Sequence, residues 1–147
     1  MAFISSVNLF IDGGCRGNPG PGAIGIVIKD SNNKKVLHEH SECIGNTTNN
    51  KAEYHALLKG LDLCAKFTRK KVCCFSDSLL LINQMNGDWR LKNDDLRSLF
   101  HKVKDLERVF EEVVYQHVKR TNPGIKKADA LLNNAFEGRS VSHSHEE

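Results

Sequence analysis

Residues 7–22 read Val7-Asn8-Leu9-Phe10-Ile11-Asp12, then Gly13-Gly14-Cys15-Arg16-Gly17-Asn18-Pro19-Gly20-Pro21-Gly22. Val7, Leu9 and Ile11 alternate with Asn8, Phe10 and Asp12, the period-two pattern of a strand. The glycines and prolines that follow predict a turn over residues 13–22. A second strand is expected at 23–29 and a third at 35–42, with Ser31, Asn32 and Asn33 marking the hairpin between them. Connections this short make the three strands an antiparallel meander.

Downstream the period changes. Tyr54, Leu57, Leu58, Leu61, Cys64 and Ala65 recur at helical spacing over residues 50–67, with Thr48 or Asn49 placed to cap. Residues 71–76 read as a buried strand, 79–85 as a short helix and 96–110 as a longer amphipathic helix. A fifth strand is expected at 113–118 and a last helix at 128–136. Strands alternating with helices after the meander imply β-α-β crossovers and parallel pairing for the later strands. The expected architecture is α/β: a mixed five-stranded sheet flanked by helices.

Composition sets the outer limits. A chain of 147 residues with 39% hydrophobic and 27% charged residues can build one stable core, which excludes a disordered class. Residues 1–139 are expected to form a single domain and 140–147 a frayed tail carrying His143 and His145. No apolar run approaches the roughly 18–20 residues of a membrane span, and the start lacks the basic, apolar pattern of a signal peptide. The net charge of +3 (21 Lys and Arg against 18 Asp and Glu) is compatible with a polyanionic partner without demanding one. Five cysteines with no C-x-x-C pair argue against a zinc knuckle or a disulfide framework and suit a reducing cytoplasm.

Four carboxylates carry the chemistry. Asp12 and Asp77 are each expected to end a strand, and Glu53 and Asp129 each to lie in the first turn of a helix. Singly, each is equally a turn or helix-end residue. Together they can converge at the carboxyl edge of the sheet, where open α/β sheets gather ligands. Carboxylates crowded there repel, and divalent cations relieve the repulsion. All-oxygen ligands with retained waters suit Mg²⁺, and paired ions suit phosphodiester hydrolysis.

These residues stand in ordered motifs. Asp12 to Gly22, then Thr47-Thr48-Asn49-Asn50-Lys51-Ala52-Glu53, Ser76-Asp77-Ser78 and Ala128-Asp129 resemble type 1 ribonuclease H over residues 7–136. The resemblance implies a ribonuclease H-like fold with strand order 3-2-1-4-5. It also implies endonucleolytic cleavage of the RNA strand of an RNA–DNA hybrid, leaving 5′-phosphate and 3′-hydroxyl ends. Two Mg²⁺ ions, replaceable by Mn²⁺, would be held by Asp12, Glu53, Asp77 and Asp129, and Asp12 would bridge them. Matching positions assign substrate contacts to Cys15, Asn18, Thr48, Asn49, Asn50, Gln84 and Trp89, and aid in turnover to His117. A cytoplasmic monomer with no obligatory protein partner follows.

The pattern also departs from the family. The segment 121–127 before Asp129 is expected to be a loop two residues longer than usual, which puts His117 in question. No room exists between Gly87 and Leu96 for the extra helix and basic loop of many bacterial members. Arg90, Lys92 and Lys102 are candidates to substitute, and weak, salt-sensitive hybrid binding is expected. Leu79 stands where some members carry a polar RNA contact. No separate hybrid-binding domain is expected ahead of the first strand. The alternative function is a non-catalytic hybrid-binding module on the same fold, against which the four filled acidic positions argue. A phosphate cradle at residues 13–22 lacks the P-loop and dinucleotide patterns.

Overall fold

The computed structural model describes residues 3–87 and 93–145. Ten elements follow one another: β1 (Ser6–Cys15), β2 (Gly20–Asp30), β3 (Val36–Thr47), α1 (Asn49–Cys64), β4 (Lys71–Ser76), α2 (Leu79–Met85), α3 (Asp94–Glu107), β5 (Glu112–His117), α4 (Pro123–Phe136) and β6 (Ser142–Ser144). They form one sheet in the order β5-β4-β1-β2-β3-β6. β1, β2 and β3 run antiparallel, whereas β4 is parallel to β1 and β5 is parallel to β4. The expected five-strand order is therefore present, extended by a sixth strand.

Both faces of β1 are covered, which explains why apolar residues occupy both of its alternating sets. Val7, Leu9 and Ile11 join Tyr54, Leu57 and Leu61 of α1 and Val103 of α3 in the larger core. Phe10 turns the other way, onto Ile125, Ala128 and Leu131 of α4. Asp12 follows Phe10 at the period-two spacing that shares a face.

Several boundaries differ from the sequence expectation, each for a local reason. The ladder runs through most of the glycine-rich stretch: Gly13 pairs with Ile24, Gly14 with Ala23 and Cys15 with Gly22, so the turn shrinks to residues 16–19. Asp12 therefore lies inside β1, three residues short of its end. α1 starts at Asn49 behind Thr48, whose hydroxyl accepts from the Lys51 N–H at 3.3 Å, so Glu53 lies beyond the first turn. α4 starts at Pro123 behind Asn122, whose side chain accepts from the N–H groups of Gly124 (2.9 Å) and Ile125 (3.3 Å). The expected long loop is thus the opening of α4, and Asp129 also lies past its first turn. Asn before Pro at the first helical position is itself a helix-start signal, and the buried Ile125 anchors that first turn in the core.

The tail corrects the expectation of fraying. Ser142–Ser144 pairs antiparallel with His38–His40 and covers what would be the free edge of β3. His38 is buried, and its two ring nitrogens lie 2.6 Å from the Ser144 hydroxyl and 3.2 Å from the Ser142 hydroxyl. On the other face of β3, Glu39 meets His145 at 2.9 Å and Lys127 at 3.6 Å.

Candidate active site

The pairing of β1 with β4 ends at Phe10 and Phe75. Beyond that pair the strands part, and Asp12 and Asp77 project at the mouth of the gap, as the edge argument requires. Two helices bring the other carboxylates in. α1 backs directly onto Gly13, where an added Cβ would lie 2.3 Å from the Ala52 carbonyl oxygen. At that approach the Gly13 N–H donates to Glu53 Oε1 at 2.7 Å. α4 backs as tightly onto Gly25, where a Cβ would lie 1.9 Å from the Ala128 oxygen, and this sets Asp129 against Asp12.

One carboxylate oxygen each from Asp12, Glu53 and Asp77 lies within 4.8 Å of the others. Asp129 shares a hydrogen bond with Asp12. Burial, that hydrogen bond and the charges of Asp77 and Asp129 push the Asp12 carboxyl up to about 8, partly offset by Arg120. Burial and the charges of Asp12 and Asp77 push Glu53 well above the usual carboxylate range, while the Gly13 N–H works against them. Such a cluster is unfavourable by itself and is relieved by positive charge. Its donors are hard oxygens only, the set that Mg²⁺ and similar divalent cations take. The residues therefore fit a divalent metal.

Around the carboxylates lies a cavity of about 380 Å³ whose wall includes Cys15, Arg16, Asn49, Arg120, Leu132 and Phe136. Arg120 was not singled out from the sequence, yet its guanidinium lies 3.6 Å from Asp129 Oδ1 and 3.9 Å from Asp77 Oδ2. Those charges, with Asp12, raise its pKa further. The signal was a cation three residues past the expected histidine. His117 itself ends β5, is exposed and is not part of the cavity wall.

The polar loop residues assemble beside the carboxylates. Asn49 Oδ1 accepts from the Cys15 N–H at 3.0 Å and lies 3.3 Å from Cys15 Sγ. Asn18 Oδ1 accepts from the Asn49 N–H at 3.1 Å. A second cavity of about 330 Å³ is lined by Asn18, Thr48, Asn50, Lys51, Asn93 and Asp95, and Lys51 pairs with Asp95 at 3.0 Å. Gln84 is not brought to either cavity: it is buried and its Oε1 accepts from the Tyr54 hydroxyl at 2.7 Å. Trp89, with Arg90 and Lys92, lies outside the described residues.

The profile of the reverse transcriptase-like family matches residues 10–135, a span that takes in all four carboxylates. The crystal structure of ribonuclease H1 from the halophilic archaeon Halobacterium salinarum is 35% identical, with a TM-score of 0.85 over 90% of this chain and 98% of that one. This chain belongs to the type 1 ribonuclease H family. A second member of that family, LC11 ribonuclease H1, was crystallised in complex with an RNA/DNA hybrid; it is 36% identical, with a TM-score of 0.81 over 90% of this chain and 97% of that one. A bifunctional protein of Mycobacterium tuberculosis is 37% identical over 131 residues, 89% of this chain. The chain spans about a third (35%) of the length of that relative. Among the described residues no helix is long and apolar enough to cross a membrane.

Proposed function

We propose that this chain is a divalent-metal-dependent endoribonuclease that hydrolyses the RNA strand of RNA–DNA hybrids, leaving 5′-phosphate and 3′-hydroxyl ends. The observation that carries this reading is the approach of Asp12, Glu53 and Asp77 within 4.8 Å, with Asp129 on the wall of the same cavity. The relative crystallised with a hybrid supports the substrate class. We place the activity in the cytoplasm and in the monomer.

Asp12, Glu53, Asp77 and Asp129 would hold two Mg²⁺ ions, for which Mn²⁺ substitutes. Asp12 would be shared, Asp129 would serve the side of the attacking water, and Glu53 and Asp77 the side of the leaving oxygen. Bound there, such ions supply Lewis acidity for in-line displacement at phosphorus. A water oxygen bonds to phosphorus and releases a proton to solvent, the P–O3′ bond breaks, and the 3′ oxygen takes a proton from solvent. The Gly13 N–H holds the Glu53 carboxylate in orientation, and Arg120 balances Asp77 and Asp129 while leaving donors toward solvent. Cys15, Asn18, Thr48, Asn49 and Asn50 present neutral polar groups to the minor groove, where 2′-hydroxyls distinguish RNA from DNA.

Cleavage of a uniformly labelled hybrid tests the reading, with duplex DNA and duplex RNA as controls, in Mg²⁺, in Mn²⁺ and with chelator. Hybrid-only cutting that needs metal and disappears in Asp12→Asn is expected. Tight hybrid binding without cutting in either metal would replace the enzyme with a binding module.

A further inference from the structure

Arg16 sits just past β1, in the turn to β2, and its backbone N–H donates to the Pro21 carbonyl at 2.9 Å. Its guanidinium carbon lies 4.4 Å above the centre of the Phe136 ring, at the end of α4. Both residues line the cavity that holds the four carboxylates. Arg120, the other cation of that wall, is engaged by Asp77 and Asp129. Among the described residues no carboxylate is paired with Arg16, so its charge stays unneutralised.

We propose that Arg16, stacked on Phe136, binds a backbone phosphate of the RNA strand flanking the scissile one. The proposal rests on the ribonuclease H reading of the same cavity. A guanidinium stacked by its face keeps its edge N–H groups free, and that edge matches a phosphate's oxygens. The ring also removes freedom that an exposed arginine would otherwise lose on binding. Position separates this contact from the chemistry. Arg16 is four residues beyond Asp12 along an extended strand, about 13 Å. Phe136 is seven residues beyond Asp129 along α4, about 10 Å. The pair therefore stands a cavity's length from the carboxylates, within reach of a neighbouring phosphate of the same strand. Arg16 is a binding residue, and Phe136 is a positioning residue that acts through it.

The test is steady-state cleavage of a fluorescent hybrid at several salt concentrations by wild type, Arg16→Ala, Arg16→Lys, Phe136→Leu and the Arg16→Ala/Phe136→Leu double variant. Thermal melts check that each is folded. Arg16→Ala should raise KM about tenfold, the value of one charge-assisted hydrogen bond, with kcat within about twofold. The slope of log KM against log salt should become shallower by about one. Arg16→Lys should restore that slope and part of the KM. Phe136→Leu should raise KM when Arg16 is present and add nothing to Arg16→Ala, the non-additivity of a coupled pair. An unchanged KM and salt slope in Arg16→Ala, a loss confined to kcat, or full additivity with Phe136→Leu would overturn the proposal. Cleavage by wild type with no effect of Arg16→Ala rejects this contact alone. A wild type that cuts no hybrid rejects the ribonuclease reading, and this inference with it.

Discussion

At the residue scale, the site is a balance of charge. Four carboxylates meet where β1 and β4 part, and Arg120 is the cation that touches two of them. His117, on family grounds the expected aid to turnover, stands outside the cavity wall. Arg120→Ala should lower kcat/KM for hybrid cleavage about ten- to a hundredfold, the range for losing hydrogen bonds to charged groups. His117→Ala should change it far less, and a larger loss in His117→Ala under identical conditions would reverse the assignment. The legibility of these residues was uneven. All four carboxylates were readable from their motifs. Arg120 was not, because its place three residues past His117 does not by itself tell it from other surface cations until α4 brings Asp129 beside it.

Elements position the site through two close approaches. α4 lies so near β2 that a Cβ on Gly25 would meet the Ala128 oxygen at 1.9 Å, and Asp129 is the next residue. Gly25→Ala should lift α4, destabilise the protein by about 1–3 kcal/mol and lower cleavage more than the stability loss explains. Urea melts beside activity assays at a temperature where both proteins are folded would show it. β6 is held differently. Burial and the nearby Lys66, His40, His143 and His145 lower the His38 pKa to about 4 from 6.5, so the docked strand needs the ring neutral. A detached tail takes up the proton first, so docking is strongest above about pH 6.5 and weakens as pH falls toward about 4. The protection factors of the Ser41 and His145 amides, which donate to Val141 and Leu37, should fall over that range once the intrinsic pH dependence of exchange is divided out. His38→Gln should flatten the dependence; equal protection at both pH values in wild type would refute it.

For the whole molecule, the carboxylate cluster trades stability for function. Without metal, Asp12 titrates near 8 in the fold and near 3.8 when unfolded. The native state binds the extra proton, so stability in chelator falls as pH rises from about 4 to about 8. Asp12→Asn should melt higher than wild type in chelator at pH 8, by about 4 °C for each kcal/mol of repulsion removed, and lose most of the Mg²⁺-induced rise. A wild-type melt insensitive to Mg²⁺ would count against the metal site. Hybrid binding should weaken with salt in proportion to the phosphates that Lys and Arg neutralise, and a flat Kd across a salt titration would oppose that expectation.

Local chemistry determined much of this protein before any tertiary contact. Alternation in Val7–Ile11, the caps at Thr48 and Asn122, and the four acidic motifs are carried by residues close in sequence, where periodicity and side-chain-to-backbone bonding act. The parallel pairing of the later strands follows from their alternation with helices, whereas the order of the first five strands came from the family resemblance that the motifs carry. Other features were decided only by the folded whole. The ladder runs through Gly13 and Gly14 because β2 and α1 lie against them, and the tail becomes β6 because the edge of β3 offers unpaired backbone groups. Arg16 meets Phe136 across more than a hundred residues of chain. Contacts between distant elements leave no trace in local spacing, because their geometry exists only once the sheet has placed the helices on its two faces.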